Sequence, residues 1–465
     1  MAAVMRTVIV GGGPAGYEAA HVAAQQGADV TLIEATGIGG AAVLTDCVPS
    51  KTLIATARSA SLAADSASLG VRVEGEPIAP QSTGVDLRFV FDRVAALATA
   101  QSNDIRARLI RDGVNVLHGR GDVSEPGTVR VVDGPDRGTP APYSQLLIAT
   151  GARPRELAGA ATDGERILNW QQVWNLTELP DHLIVVGSGV TGAEFAGAFT
   201  ALGADVTLIS SRDRVLPTQD SDAADVVEAV FVRRGMQVRS RSRAVAVTRT
   251  EGGVVVALAD GQQVRGSHCL LAVGALPNTA DLGLQQLGIR TSESGHIEVD
   301  RVSRTNVMGV YAAGDVTGVL ALASVAAMQG RIAMWHAFGD AVAPLQLAQV
   351  SSAVFTDPEI AAVGVPPEQV VAGEVQGTVR VQQLATNPRA KMQGVQDGFI
   401  KLVARPDGVV AGGVVVAPRA SDLVHAISIA VAKHLTVDDL AQIFTVYPSI
   451  SGSVAEAARR LHVVD

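Results

Sequence analysis

The chain has 465 residues, 47% of them hydrophobic and only 18% charged, with 48 glycines; this excludes a disordered or fibrous chain and suits tightly packed α/β domains, about two to four of them. A formal charge of −9 with no Lys/Arg block argues against nucleic acid or an anionic membrane as partner, because both demand a positive footprint, and leaves peripheral membrane contact open. No stretch reaches the roughly 18 unbroken apolar residues of a transmembrane segment, since Gln329, Gly330 and Arg331 interrupt the longest candidate from Val319 on.

The N-terminal residues run straight into a strand-like segment and leave no length for a signal peptide, so a cytoplasmic protein is expected. The two cysteines, Cys47 and Cys269, fit a reducing compartment and form no C-x-x-C pair.

Thr7 to Val10 reads as a buried strand, Gly11-Gly12-Gly13-Pro14-Ala15-Gly16 as a turn, Tyr17 to Gln26 as a helix, and Ala28 to Ile33 as a second strand ending at Glu34. This is the order of a dinucleotide-binding unit: Gly11 permits the tight turn, Gly13 lets the backbone approach a pyrophosphate, and Gly16 lets the helix pack closely. The helix N-terminus offers unpaired N–H groups and a positive dipole end, and Glu34 is placed to accept from ribose hydroxyls.

The unit recurs. Leu183 to Val186 is the strand, Gly187-Ser188-Gly189-Val190-Thr191-Gly192 the turn, Ala193 to Leu202 the helix and Ala204 to Ile209 the next strand. Two units imply two dinucleotide sites. The copies differ at the acid, because position 210 is serine and Ser211, Arg212 and Arg214 follow. Small hydroxyls with arginine would accept the 2′-phosphate that a carboxylate repels, which leans the second site towards NADPH over NADH, although the same arginines could decorate a solvated loop.

Further along, Leu146 to Pro154 and Leu270 to Pro277 read as strands that bracket the second unit as an insertion, and Val310 to Asp315 reads as a buried strand followed by a helix from about Ala321. An aspartate at such a strand end can receive a ribityl hydroxyl. From about Leu345 strands are expected at Ser352 to Thr356, Thr378 to Ala385, Phe399 to Ala404 and Val409 to Val416, with helices after them, one of which (Ala426 to Ala432) suits a subunit interface or an ordinary core.

These segments, with Gly39-Gly40 through Cys47-Val48-Pro49-Ser50-Lys51, Ala149-Thr150-Gly151, Glu194, Gly314-Asp315 and Thr356 to Ala361, resemble the two-dinucleotide-binding flavoprotein disulfide reductases, a family that includes lipoamide dehydrogenase, glutathione reductase and mercuric reductase. The resemblance covers essentially the whole chain. It implies an α/β fold of two Rossmann-like domains and a C-terminal α+β dimerisation domain, with FAD-binding residues 1–150 and 277–344, NAD(P)-binding residues 151–276 and interface residues 345–465. It also implies a homodimer.

The candidate cofactor-binding set takes in Ala35, Gly40, Ala41, Ala42, Gly119, Gly274, Leu322 and Ala323 beside the motif residues Gly11, Gly13, Pro14, Ala15, Gly16, Glu34, Lys51, Thr150, Gly151, Gly187, Gly189, Val190, Thr191, Gly192, Glu194, Ser210, Ser211, Arg212, Gly314 and Asp315. Lys51 and Glu194 match the ion pair that the family keeps beside the flavin, where a cation tunes its electronics.

Two departures from the family pattern matter more than the agreements. The family's cysteine pair is reduced to Cys47, its partner position being Ala42, and Cys269 in an apolar strand is no substitute. The family's C-terminal His-Pro-Thr and its glutamate have become Tyr447-Pro448-Ser449 and Gly452, and a tyrosine with a pKa near ~10 cannot replace an imidazole near ~6.5 as a proton shuttle at neutral pH. Both halves of dithiol chemistry are gone while the flavin-reduction half remains.

The expected acceptor is a quinone, which is flat and needs less proton assistance than a departing thiolate; the chain resembles the quinone-reducing, lipoamide-dehydrogenase-like branch of actinobacteria, which similarly lacks the complete cysteine pair. A soluble NAD(P) transhydrogenase and a catalytically decayed flavoprotein scaffold are the alternatives. Cys47 is then either a charge-transfer donor or a remnant. The nine histidines show no metal-site spacing.

Overall fold

A computed structural model describes residues 4–73, 76–77 and 84–462. The chain divides into two compact units, the first formed by Met1–Thr52, Phe89–Arg155 and Gly274–Leu345, the second by Leu53–Arg88, Glu156–Val273 and Gln346–Asp465.

In the first unit a five-stranded sheet runs Val310–Ala312, Gln145–Ile148, Arg6–Val10, Asp29–Glu34, Asn115–His118, every pair parallel. A parallel sheet is covered on both faces, so its central strands must be apolar without alternation. Val8, Ile9 and Val10, and Leu146, Leu147 and Ile148, are accordingly all buried.

One face receives the helices Pro14–Gln25 and Ala323–Ala337. They approach so closely that a Cβ on Gly330 would lie 2.1 Å from the carbonyl oxygen of Ala15. The three residues that broke the apolar run in the sequence thus each have a place: Gly330 permits this crossing, the Gln329 side chain accepts from Gly314 N at 2.9 Å, and Arg331 pairs with Glu18 at 2.9 Å. The other face is covered by an antiparallel meander, Gly121–Glu125, Thr128–Val131 and Pro140–Pro142, whose Val123, Val129, Val131 and Ala141 point into the sheet.

The second unit repeats this plan. Its parallel sheet runs Ile167–Asn169, His268–Leu271, His182–Val186, Asp205–Ile209, Gln237–Arg239, and Arg6 facing Asp29 in the first sheet corresponds to His182 facing Asp205 here. A second antiparallel meander follows, Ala244–Thr250, Gly253–Leu258 and Gln263–Gly266. The duplication therefore includes the meander, which the sequence did not suggest because its alternating strands share no motif.

The stretches read as single strands over Leu146 to Pro154 and Leu270 to Pro277 are each broken in two. Gly151 (φ 69°) and Gly274 (φ 100°) take left-handed backbone that ends one strand and starts another. The outer halves, Ala152–Pro154 and Ala275–Pro277, pair antiparallel as a two-stranded ribbon within the first unit.

The C-terminal part of the second unit is an antiparallel sheet in the order Ser351–Val354, Glu359–Gly364, Val410–Ala417, Phe399–Ala404, Thr378–Gln383. Glu359–Gly364 is an addition to the four expected strands; its alanines weaken the strand signal, and the turn residues Asp357-Pro358 precede it. The helix Ala420–Lys433 packs on the sheet through Val424, Ile427, Ala430 and Val431, while Ile429 stays 45% exposed. Truncating the wholly buried Ile427 to alanine would cost about 2–5 kcal/mol.

Candidate functional site

The two glycine turns are near-copies in space. Gly13, ahead of the first helix, has φ −69° and ψ −174°; Gly189, ahead of Val190–Ala201, has φ −70° and ψ −173°. Neither helix has a side-chain cap or an acidic residue in its first turn, so no residue of either helix's own first turn offsets the positive end of its dipole.

The outer glycines are fixed by the fold. A Cβ on Gly11 would lie 2.2 Å from Ala149 O and one on Gly187 2.2 Å from Ala272 O; Cβ atoms on Gly16 and Gly192 would lie 1.8 Å from Gly11 O and Gly187 O. The middle glycines differ in kind, because a Cβ on Gly13 or Gly189 would meet nothing within 4 Å. Their lack of a side chain serves no internal packing and leaves a cradle before an uncapped helix, which fits a pyrophosphate in each copy.

Around the first cradle, Glu34 is buried and both its oxygens are engaged. Oε2 accepts from Gly12 N at 2.5 Å, and Oε1 from Thr36 N at 2.6 Å, Thr36 Oγ1 at 2.8 Å and Gly37 N at 3.2 Å. The carboxylate expected to wait for ribose hydroxyls thus already organises the turn, with its remaining lone-pair capacity for a ligand. Ala35 beside it is exposed. Gly119 (φ 150°) donates its N–H to Glu34 O at 2.9 Å, and a Cβ there would strike Asp133 O at 2.2 Å. Thr150 and Asn278 bind reciprocally, Thr150 Oγ1 donating to Asn278 O at 2.8 Å and Asn278 Nδ2 to Thr150 O at 2.9 Å, which fixes the turn at Gly151.

Gly314 (φ 82°) turns the chain out of its strand into Asp315, and burial pushes the Asp315 carboxyl above the usual range, with His296 opposing. Among the described residues that carboxylate makes no hydrogen bond. Leu322 and Ala323 form the uncapped start of the helix Ala323–Ala337.

Gly40, Ala41 and Ala42 lie on the short helix Gly40–Leu44, and Cys47 opens the helix Cys47–Asp65 whose first turns carry Lys51. Cys47, Ala42 and Lys51 are half-buried. The two cysteines form no disulfide, and Cys269 is fully buried in its parallel strand, where desolvation drives the thiol far above its normal range. It is inert, as a small hydrophobe in a core.

In the second cradle Glu194 lies on the helix Val190–Ala201, 3% exposed, and its Oε1 accepts from Phe355 N at 2.8 Å. Val190 and Thr191 form the exposed and half-exposed first turn of that helix. Ser210 corrects the expectation of a hydroxyl open to a phosphate. It is wholly buried, takes a hydrogen bond from Ser188 Oγ at 2.7 Å and from Arg212 N at 3.1 Å, and lies 3.2 Å from Arg214 O. Arg214 is likewise committed, to Ser221 O and Asp225. The groups left exposed at this end of the strand are Ser211, Arg212 and Asp213, with Gly274 exposed on its own loop.

Tyr447 is 82% exposed, in a segment with Ile443, Phe444 and Val446 that presents apolar side chains to solvent. Sequence reasoning missed Gly12, Ser188, Gln329 and Asn278; the first two hold variable motif positions, and the last two act through side-chain contacts that no local pattern encodes. Among the described residues no group of three or more His, Cys, Asp or Glu could hold a metal, and no helix is long and apolar enough to cross a membrane.

Comparison with known proteins agrees with this geometry. The family described as pyridine nucleotide-disulphide oxidoreductase matches residues 5–330, and its dimerisation domain matches residues 350–458. The chain is 51% identical over 474 aligned positions, 99% of its own length and 95% of the relative's, to an NAD(P)H dehydrogenase (quinone) of Mycobacterium tuberculosis. It is 31% identical, over 97% of its length and 95% of the relative's, to a dihydrolipoyl dehydrogenase of Geobacillus stearothermophilus.

The crystal structure of LpdA from Mycobacterium tuberculosis superposes with a TM-score of 0.94 at 50% identity, covering 99% of this chain and 100% of that one. The HOCl-induced flavoprotein disulfide reductase RclA from Escherichia coli shares the fold, with a TM-score of 0.86 at 23% identity over 98% of this chain and 100% of that one. FAD and NAD(P)H are the cofactors of this group of enzymes, and two dinucleotides are what the two cradles fit. With its duplicated cradle, its C-terminal domain and its full-length relatives, the chain belongs to the pyridine nucleotide-disulphide oxidoreductase family.

Proposed function

We propose that this protein is a FAD-dependent NAD(P)H:quinone oxidoreductase that works without a dithiol relay. The observation that carries the reading is the condition of its sulfurs. Ala42 stands where the family's first cysteine stands, and the other thiol, Cys269, is sealed in a sheet, so no pair can take up electrons as a disulfide does. The relative named NAD(P)H dehydrogenase (quinone) supports a quinone as acceptor.

Bound FAD supplies the two-electron redox chemistry between nicotinamide and acceptor. The chain's residues hold and tune. We assign Gly11, Gly13, Gly16, Glu34, Gly119 and Asp315 to FAD, with Asp315 accepting from a ribityl hydroxyl, and Gly187, Gly189, Gly192, Ser211 and Arg212 to NADPH. Lys51 is assigned as the cation that tunes the flavin and Glu194 as its counter-charge, with Cys47 as a lone thiol beside them. Tyr447 stands in place of the family's histidine, and a hydroquinone product tolerates the loss of that imidazole.

In this reading residues 1–150 and 277–344 bind FAD, 151–276 bind NAD(P)H and 345–465 mediate a homodimer, and a chain with only two cysteines accords with the cytoplasm. Steady-state turnover of NADPH with a benzo- or naphthoquinone tests it. Turnover well above that of free FAD is expected; a rate equal to free FAD, or brisk reduction of lipoamide, overturns it, and efficient exchange between NADPH and a thio-NAD analogue without quinone would make it a transhydrogenase.

A further inference from the structure

Lys401 sits in the strand Phe399–Ala404, every residue of which is buried, and is itself only 5% exposed. Its Nζ lies 2.8 and 2.7 Å from the two carboxylate oxygens of Asp220, 2.8 Å from Asp222 and 5.2 Å from the centroid of the Phe399 ring. A buried ion pair adds little stability over an apolar pair of the same volume, so its presence in an apolar strand points to a fixed geometry as its use.

What it fixes can be followed bond by bond. Asp220 caps the helix Ser221–Arg233, accepting from Ala223 N at 3.0 Å. The turn just before it closes from Gln219 N to Leu216 O at 3.0 Å. Leu216, buried and held at φ 51°, donates its N–H to the carbonyl of Ser188 at 2.8 Å. Ser188 lies between Gly187 and Gly189, and its hydroxyl binds Ser210 at the end of the neighbouring strand. A path of hydrogen bonds and short chain segments thus joins Lys401, 181 residues from Asp220 in sequence, to the glycine turn and the ribose-side loop of the second cradle.

We propose that Lys401 is a positioning residue for the nicotinamide nucleotide, holding the turn at 216–219 and through it the Gly187–Gly189 backbone in the shape that receives the pyrophosphate. This rests on the assignment of NADPH to the second cradle. Without the ammonium the Asp220 carboxylate is buried unpaired and must turn to water, and the turn it anchors loosens.

The test compares Lys401→Met, Asp220→Asn and the double variant Lys401→Met/Asp220→Asn, which removes both buried charges and leaves only the solvent-exposed Asp222 without its lysine, with Lys401→Arg as conservative rescue. Expected is a rise of about tenfold in the KM for NADPH in the first three, with kcat at saturating NADPH, the KM for quinone and bound FAD near those of the unaltered enzyme, and most of the effect restored by arginine. An NADPH KM within about twofold of the unaltered enzyme in the variants that fold, or a parallel loss of FAD and quinone turnover, overturns the role of Lys401. Failure of NADPH to reduce the flavin of the unaltered enzyme overturns the functional reading, and Lys401's role with it.

Discussion

Ser188 Oγ donates to Ser210 Oγ at 2.7 Å, at the two positions where the first cradle joins Gly12 N to Glu34 Oε2 at 2.5 Å. One fold thus carries two versions of the same link, a backbone amide on a carboxylate and a hydroxyl on a hydroxyl. The second version carries no charge in the link itself.

The link predicts coenzyme choice. Ser188→Gly with Ser210→Glu rebuilds the first version in the second cradle, and the carboxylate it introduces repels a 2′-phosphate. The ratio of kcat/KM for NADPH over NADH should fall by about tenfold or more, and Arg212→Ala should lower it further by weakening NADPH alone. An unchanged ratio would show that this end of the strand does not read the 2′ position.

The glycines divide into two kinds of test. Gly13→Ala and Gly189→Ala add a methyl where nothing lies within 4 Å and at an ordinary φ, so both should fold with unaltered secondary structure and thermal midpoint. Gly13→Ala should purify depleted of flavin; Gly189→Ala should keep its flavin and lose NADPH affinity. Gly11→Ala, whose Cβ would sit 2.2 Å from Ala149 O, should instead fail to accumulate as folded protein.

Lys51 and Glu194 are predicted to act on one step. Lys51→Met and Glu194→Gln should each slow flavin reduction by NADPH about 10–100-fold, and the double variant should be little worse than either. Glutamine can still accept the hydrogen bond from Phe355 N, so Glu194→Gln should fold normally, whereas Glu194→Leu orphans that N–H at a cost of about 1–3 kcal/mol. Additive effects in stopped-flow traces would show independent roles.

Asp315 gives the protein without flavin a pH dependence. Burial raises its folded-state pKa above the unfolded value of 3.8, so in the interval between the two the folded form holds the proton more often. Its contribution is fully present below 3.8 and is lost as pH rises through the raised value, leaving the burial cost of a carboxylate at neutral pH. Asp315→Asn should therefore raise the thermal midpoint of the flavin-free protein at pH 7 by about 2 °C while weakening retention of FAD. Calorimetry of flavin-free samples and dialysis of loaded ones check the two halves, and a lowered midpoint with flavin held as tightly would contradict both.

Much of this protein could be read along the chain. The glycine at 11, 13 and 16, repeated at 187, 189 and 192, set two strand–turn–helix units, because the chemistry of a tight turn and a close helix is local and only glycine supplies it. The loss of a second cysteine at Ala42 was equally plain. Tertiary structure decided what those positions do. Ser210 looked like a ligand hydroxyl and proved to be a buried structural link, since only the packed loop shows which hydroxyls face inwards. The meanders, the added strand Glu359–Gly364 and the bond from Lys401 to Asp220 depend on contacts between residues far apart in the chain. No periodicity or spacing records such contacts, for their energy comes from partners that folding alone brings together.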